Sequence, residues 1–391
     1  MATTDDRIAA YSKTVAEDPK NLRSHLALAL EYIQKTRETG DGQYLELAAQ
    51  SLDRALTADP DLPDALRVRN EIRLMRHEFR KVAEDARYLT QVNSSDTGSW
   101  GNLGDALMEL GDYEGAEKAY RQMLSLGPNL TSYNRYAYYL FVAGKPEEAF
   151  VAMRMAIDSG SRNPQQLAWC RSELGDMYFK TGQIELARSM FQSATEGFPK
   201  LHRAHAGLAH LASCEGRVKE AIASYRRAQA IVPLPEYSAA LEDLARETGD
   251  PREAEKQSKL LGAVLTLASA SGEDANRTIA LIWANRKVRL EEALRLVQAE
   301  FANRDDVYSY DALGWVLHRL GRNGEASTAA KKAIRMATPE PSFWFHAGMI
   351  FYAAGLADEA RTALTRCVEL NRNFDRRQGA LAVDTLRKLK I

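Results

Sequence analysis

Residues 100–128 read W-G-N-L-G-D-A-L-M-E-L-G-D-Y-E-G-A-E-K-A-Y-R-Q-M-L-S-L-G-P, and the reading rests on Trp100, Leu103, Gly104, Leu107, Ala116, Tyr120 and Pro128. The first four share one face of a helix, and Ala116 and Tyr120 share a face of a second. Gly111 lies between the two runs, where a helix end favours a residue tolerant of the left-handed conformation. Pro128 stops the second helix because proline cannot continue the hydrogen-bond ladder. The small residues Gly104 and Ala116 let the two axes approach to about 8–10 Å. The stretch therefore predicts a helix-turn-helix unit of about 34 residues, counted from Thr97.

The same spacing recurs along the chain. Strong copies carry Ala137, Gly144 and Ala149; Gly175, Gly182, Ala187 and Phe191; and Ala209, Gly216, Ala221 and Tyr225. Toward the C-terminus, Gly314, Gly321 and Ala326 mark another copy, and Gly348, Gly355 and Ala360 the next. Weaker copies hold Gly249 and Ala254, Phe79 and Ala86, Ala48 and Leu52, and Ala280 and Ala293. This pattern resembles the tetratricopeptide-repeat (TPR) family. The resemblance implies an all-α, right-handed superhelical α-solenoid of about ten helix-turn-helix units with a C-terminal capping helix. Strand signals, meaning alternating β-branched runs bounded by hairpin turns, are absent.

The expected organisation follows. Residues 1–20 form a lead-in helix. Residues 21–267 form an N-terminal array with units near 21–60, 63–96, 97–129, 130–166, 168–201, 202–234 and 235–267. The polar stretch A-S-A-S-G-E-D at 268–274 is read as an inter-array loop separating two sub-arrays able to bind independently. Residues 275–374 form the C-terminal array and 375–391 the cap. A capping helix with a polar outer face keeps the last repeat soluble. Leu381, Val383 and Leu386 on it are candidates for self-association if the cap is incomplete.

Composition narrows the class. The chain has 391 residues, 45% hydrophobic and 27% charged, with 52 basic and 53 acidic residues and a formal net charge of -1. Such a balance excludes a nucleic-acid binder as a whole, which needs a basic stripe. Cys170, Cys214 and Cys367 fall in separate repeats without C-x-x-C spacing, which reads as three free thiols in a reducing compartment. The opening M-A-T-T-D-D-R-I-A-A-Y-S-K has no basic and apolar leader pattern, so the expected location is cytoplasmic, or periplasmic or membrane-tethered if a leader preceded Met1. No run of about 18 apolar residues is present.

Catalytic signatures are missing. The sequence has no glycine-rich phosphate loop, no H-E-x-x-H and no G-x-S-x-G. His202, His205 and His210 sit on one helix, but no cysteine or carboxylate run completes a zinc ligand set. Glu147 and Glu148, and Glu291 and Glu292, open second helices, where acids complement the helix terminus. The chain is thus read as a non-enzyme with no cofactor.

The resemblance implies a concave face lined by the first helix of each unit. It places Asn102, Arg135 and Tyr138 there, as well as Glu173, Asp176, Phe179, Lys180, Arg203, His210 and Cys214. Some TPR domains carry a two-carboxylate clamp of Lys, Asn and Arg. Asn102 and Arg135 fall on its positions, but Asp64, Val68 and Thr131 replace the others, so the clamp is largely absent. The C-terminal groove offers Tyr308, Asp311, Trp315, His318, Arg319, Phe345, His346 and Met349, an aromatic and cationic lining suited to an acidic, apolar peptide. The leading expectation is a scaffold or adaptor holding a peptide or folded partner on the concave face. An assembly factor or subunit of a larger envelope-associated complex is the second, since long bacterial TPR proteins of this look are often exported or membrane-tethered. A metal- or cofactor-binding accessory is the third, resting on the His202 cluster alone.

Overall fold

The computed structural model describes residues 2–271 and 276–389. Among these, twenty-two α-helices occur and no strand. The chain divides into two compact units, one ending at Pro128 and one beginning at Asn129.

The first unit opens with α1 (Thr4–Glu17), started by a capping box between Thr3 and Asp6. Three antiparallel pairs follow: α2 (Leu22–Thr39) with α3 (Gln43–Ala58), α4 (Pro63–Met75) with α5 (Phe79–Val92), and α6 (Thr97–Glu109) with α7 (Tyr113–Leu126). The α6–α7 pair shows why the anchors are needed. Ala116 and Tyr120 are buried, and a Cβ built on Gly104 would run into the Tyr120 ring. Asp96 caps α6 by accepting from the Gly98 and Ser99 amides.

The second unit holds seven pairs and a final helix. They are α8 (Leu130–Val142) with α9 (Pro146–Asp158), α10 (Pro164–Lys180) with α11 (Ile184–Gly197), α12 (His202–Cys214) with α13 (Val218–Ile231), and α14 (Pro235–Glu247) with α15 (Pro251–Ser271). Then come α16 (Asn276–Arg286) with α17 (Leu290–Glu300), α18 (Val307–Arg319) with α19 (Asn323–Ala333), α20 (Pro341–Ala353) with α21 (Ala357–Asn371), and α22 (Gln378–Leu389). The cap α22 packs on α21 and α20. Ala382 is buried and Leu386 packs against the core, whereas Leu381 is exposed.

Two sequence expectations change here. Residues 268–271, expected in a loop, belong to α15, which continues through Ser271. Alanine is the best helix former and serine costs little, so a small polar run need not break a helix. Residues 272–275 lie outside the described ones. Nor do two sub-arrays separate at that point, since residues on both sides belong to the same compact unit. Arg286 of α16 ties back to α14, donating to Glu242 at 2.8 Å, to Asp243 at 3.1 Å and to the Ala239 carbonyl at 3.0 Å.

The second unit also closes on itself, which an open array of nearest neighbours would not do. The last carbonyls of a helix lack intrahelical partners. At the end of α8 the Val142 carbonyl accepts from the Thr338 hydroxyl at 2.7 Å. At the end of α10 the Phe179 carbonyl accepts from the Asn371 side-chain amide, also at 2.7 Å. The turns beside them require glycine twice over. Gly144 and Gly182 have φ of 75° and 78°, and a Cβ would sit 2.8 Å from the Met336 carbonyl oxygen and 2.7 Å from that of Leu370 respectively.

Candidate functional site

Closure brings the first helices of five pairs around a cavity of about 350 Å³. From α10 come Asp176, Phe179 and Lys180; from α12, His210; from α16, Arg277, Leu281 and Asn285. Tyr308 and Asp311 of α18 and Pro341, Ser342, Phe343 and His346 of α20 add to the wall, with Glu340 just before α20. Phe374, Asp375 and Gln378, at the start of the cap, complete it.

Its charges are held in place. Lys180 lies 2.7 Å from Asp176 and 2.9 Å from Glu340. Although burial opposes its charge, Asp176 and Glu340 hold its ammonium well above the usual lysine range. The same contact lowers Asp176 against its own burial. Arg277 reaches Asp306 at 3.3 Å and stands 5.4 Å from the Tyr308 ring centroid. Burial pushes the Tyr308 hydroxyl to about 12, and Tyr308 is hydrogen-bonded to Tyr138 of α8. His210 faces the Phe374 carbonyl at 2.9 Å and meets Phe179 edge-on. Burial disfavours the His210 cation, yet Cys214, Asp375 and the Phe374 carbonyl together raise it to about 9.

The Asp311 and His346 pair spans α18 and α20. His346 Nδ1 lies 2.9 Å and 3.0 Å from the two Asp311 oxygens, and both residues are buried. Its ring stacks on Trp315 with centroids 4.1 Å apart. The opposite nitrogen, Nε2, is buried with no hydrogen-bond partner.

Of the groove residues expected from sequence, Tyr308, Asp311 and His346 line the cavity, and Tyr138 supports Tyr308. Trp315 and Phe345 do not face solvent; each is 1% exposed. The expectation for them presumes an open groove, whereas neighbouring first helices α16 and α20 close over α18. Trp315 donates to Asn285 at 2.8 Å, and the Arg319 guanidinium stands 4.0 Å from its ring centroid. His318 stacks beside it, half-buried. Met349 meets the Thr385 hydroxyl of the cap at 3.7 Å. Arg135 is half-buried on α8. Asn102 belongs to the first unit, where it is buried and donates to the Arg67 carbonyl at 3.3 Å.

The His202 cluster does not converge. His202 pairs with the Tyr237 hydroxyl at 2.8 Å, His205 with the Pro199 carbonyl at 2.9 Å, and His210 with Phe374. The thiols of Cys170 and Cys367 are buried, which pushes each up to about 12. No helix among the described residues is long and apolar enough to cross a membrane.

Sequence reasoning placed Asp176 and Asp311 on inward faces but missed Glu340 and Asp375 and the convergence of all four in one wall. Asp176, Phe179 and Lys180 stood at groove positions of their own unit, but nothing local linked them to a unit more than a hundred residues later. Glu340, Phe374 and Asp375 lie between helices, where the groove scheme assigns no position.

Helix pairs stacked around inward-facing first helices define an α-helical repeat scaffold. Sequence comparison matches tetratricopeptide-repeat families at residues 98–130, and at 172–234 and 312–372. The chain carries tetratricopeptide repeats at these positions. No match was found among curated proteins. Among solved structures, PilW, a widely conserved type IV pilus biogenesis factor, is 21% identical over 62% of this chain and 92% of its own, with a TM-score of 0.36. The Cut9–Hcn1 hetero-tetramer of the APC/C is similar at 15% identity over 99% of this chain and 83% of that one, with a TM-score of 0.43. TTC0263, a thermophilic TPR protein of Thermus thermophilus, is 18% identical over 49% of this chain and 97% of that one, with a TM-score of 0.43. At these identities the likeness is one of fold alone.

Proposed function

We propose that the protein is a non-catalytic interaction scaffold that holds a segment of a partner protein in the second unit's cavity. TPR repeats generally mediate protein–protein interaction. The observation that carries the particular site is convergence: inward faces of α10, α12, α16, α18 and α20 meet at one preformed cavity rather than being spread along an open surface. A preformed site lowers the ordering cost of binding. Its volume of about 350 Å³ suits a few side chains of an extended segment, not a whole helix.

Site-specific photo-crosslinking in the native lysate tests this. A photoreactive residue at Gln378, on the cavity wall, is compared with one at Val151, exposed on α9. The expected result is a discrete partner adduct from position 378 that disappears in Ser342→Trp, with helicity unchanged by circular dichroism. Adducts of equal yield from both positions, insensitive to Ser342→Trp, would overturn the assignment.

A further inference from the structure

Arg319 is a guanidinium without a counter-ion. It ends α18, half-buried, 4.0 Å from the Trp315 ring centroid. No described residue gives it a hydrogen bond or an ion pair. Its Nε is buried with no partner, while the two terminal nitrogens, equally without one, keep accessible surface. Burial lowers the side chain below the ordinary arginine range, and no carboxylate opposes the shift. Burial weighs on Arg188 and Arg203 too, but Glu185 and Glu215 hold the first above that range, and Glu173 and Asp176 the second. A charge taken out of water without a counter-ion is costly. Nor does Arg319 cap its own helix: the Val316, Leu317 and His318 carbonyls accept from the amides of Leu320, Arg322 and Gly321.

The platform beneath it is rigid. The Trp315 indole donates to Asn285 at 2.8 Å, and its ring stacks on His346, itself fixed by Asp311. A guanidinium spread on such a ring is ordered before any ligand arrives, which lowers the cost of binding. The surrounding field is positive. Lys287, in the turn after α16, is exposed and has no ion pair among the described residues. Burial, together with Arg319 and Lys287, lowers the His318 imidazole, so at pH 7 His318 adds a neutral ring.

The open end of a planar guanidinium matches the two oxygens of a carboxylate. One fixed guanidinium balances one negative charge, whereas a phosphomonoester, at about −2 charge, is met by clustered arginines. We propose that Arg319, held on Trp315, binds a carboxylate of a partner protein, an Asp or Glu side chain, through its two terminal nitrogens. The site lies off the cavity wall, so it stands independently of what the cavity holds.

The test uses the full chain and the peptides Ac-Ala-Ala-X-Ala-Ala-NH2, with X as Glu, Gln or phosphoserine. Titration is followed by NMR at the Arg319 Nε and Trp315 Nε1 resonances. The Glu peptide is expected to bind roughly tenfold tighter than its Gln isostere, as a charge-assisted pair allows, and to shift both resonances. Arg319→Gln should bring the Glu peptide down to the affinity of the Gln peptide. Equal binding of Glu and Gln, unmoved resonances, or a Glu preference that survives Arg319→Gln would overturn the proposal. Tighter binding of phosphoserine than of Glu would make this a phosphate site and overturn it as well. The resonances are read in the unsubstituted chain, so a poorly folding Arg319→Gln leaves the test intact.

Discussion

At the scale of single residues, the repeat tolerates substitution at its turn and stores a cost there. After the first helix of most pairs a glycine has φ near 75°, as at Gly111, Gly216 and Gly321. In two degenerate pairs the same place is taken by His77 and Lys287, both with φ of 56°. A side chain in the left-handed region costs roughly 1–2 kcal/mol. Lys287 is exposed, so Lys287→Gly removes that strain without losing a buried contact. It should stabilise the chain by about 1 kcal/mol, less the added freedom of glycine in the unfolded state, and the urea midpoint measures it. His202 gives a second prediction. Burial, then Arg203 and His205, hold its imidazole down to about 4, below the ordinary 6.5. A base depressed by folding contributes stability above its unfolded value and loses it as pH falls through its folded one. The chain should weaken between about pH 6.5 and 4, with the His202 ring titrating near the lower end by NMR. In His202→Asn, which cannot titrate, the acid loss should shrink; an unchanged loss would assign it elsewhere.

At the scale of elements, the pairs were legible because their cause is local. Gly175 and Phe191, or Gly348 and Leu364, interlock within one pair at fixed spacing, and the pattern repeats. The tail of α15 was misread because glycine and polar residues nearby outweighed the helix preference of alanine. Trp315 was misplaced for another reason: its burial depends on α16 and α20, not on its own helix. Less than half of the cavity wall is named from sequence, and only as isolated groove positions, since no periodicity pairs α10 with the segment before α20. The contact of α12 with the start of α22 makes a prediction at this scale. His210, raised to about 9, contributes stability that is complete below its unfolded value near 6.5 and is lost as pH rises through 9. Amide exchange of Arg376–Gln378, corrected for intrinsic rate, should therefore increase across that window. Cys214→Ala removes the first of the groups favouring the cation, so the NMR midpoint of His210 should drop; a midpoint that stays near 9 would exclude Cys214 as a cause.

At the scale of the whole molecule, the second unit departs from the energetics of a linear array. In such an array each repeat contacts only its neighbours, and stability is a sum of repeat and interface terms. Here Thr338 bonds Val142, and Asn371 bonds Phe179, across separations of 196 and 192 residues. These bonds couple repeats that sequence order keeps apart, so α8 and α10 cannot fray without uncapping themselves from α19–α21. Both donors are buried; losing Thr338 orphans the Val142 carbonyl at a cost of about 1–3 kcal/mol, whereas the Phe179 carbonyl keeps the Gly182 amide at 3.0 Å and loses only its second bond. The loss should fall on cooperativity as well as on stability. Thr338→Val combined with Asn371→Leu keeps the shapes and deletes both donors. The expected outcome is a broader urea transition with a smaller apparent slope, as α8–α11 begin to open before α18–α22. Hydrogen exchange should show protection falling first at Val142–Gly144 and Phe179–Gly182, while the Ala360–Leu364 core keeps its protection. A simple shift of midpoint at constant slope, with protection reduced evenly, would mean that the closure adds energy but does not bind the unit into one cooperative body. The cavity would then owe its form to its neighbouring pairs, and partner binding should survive the double variant unchanged.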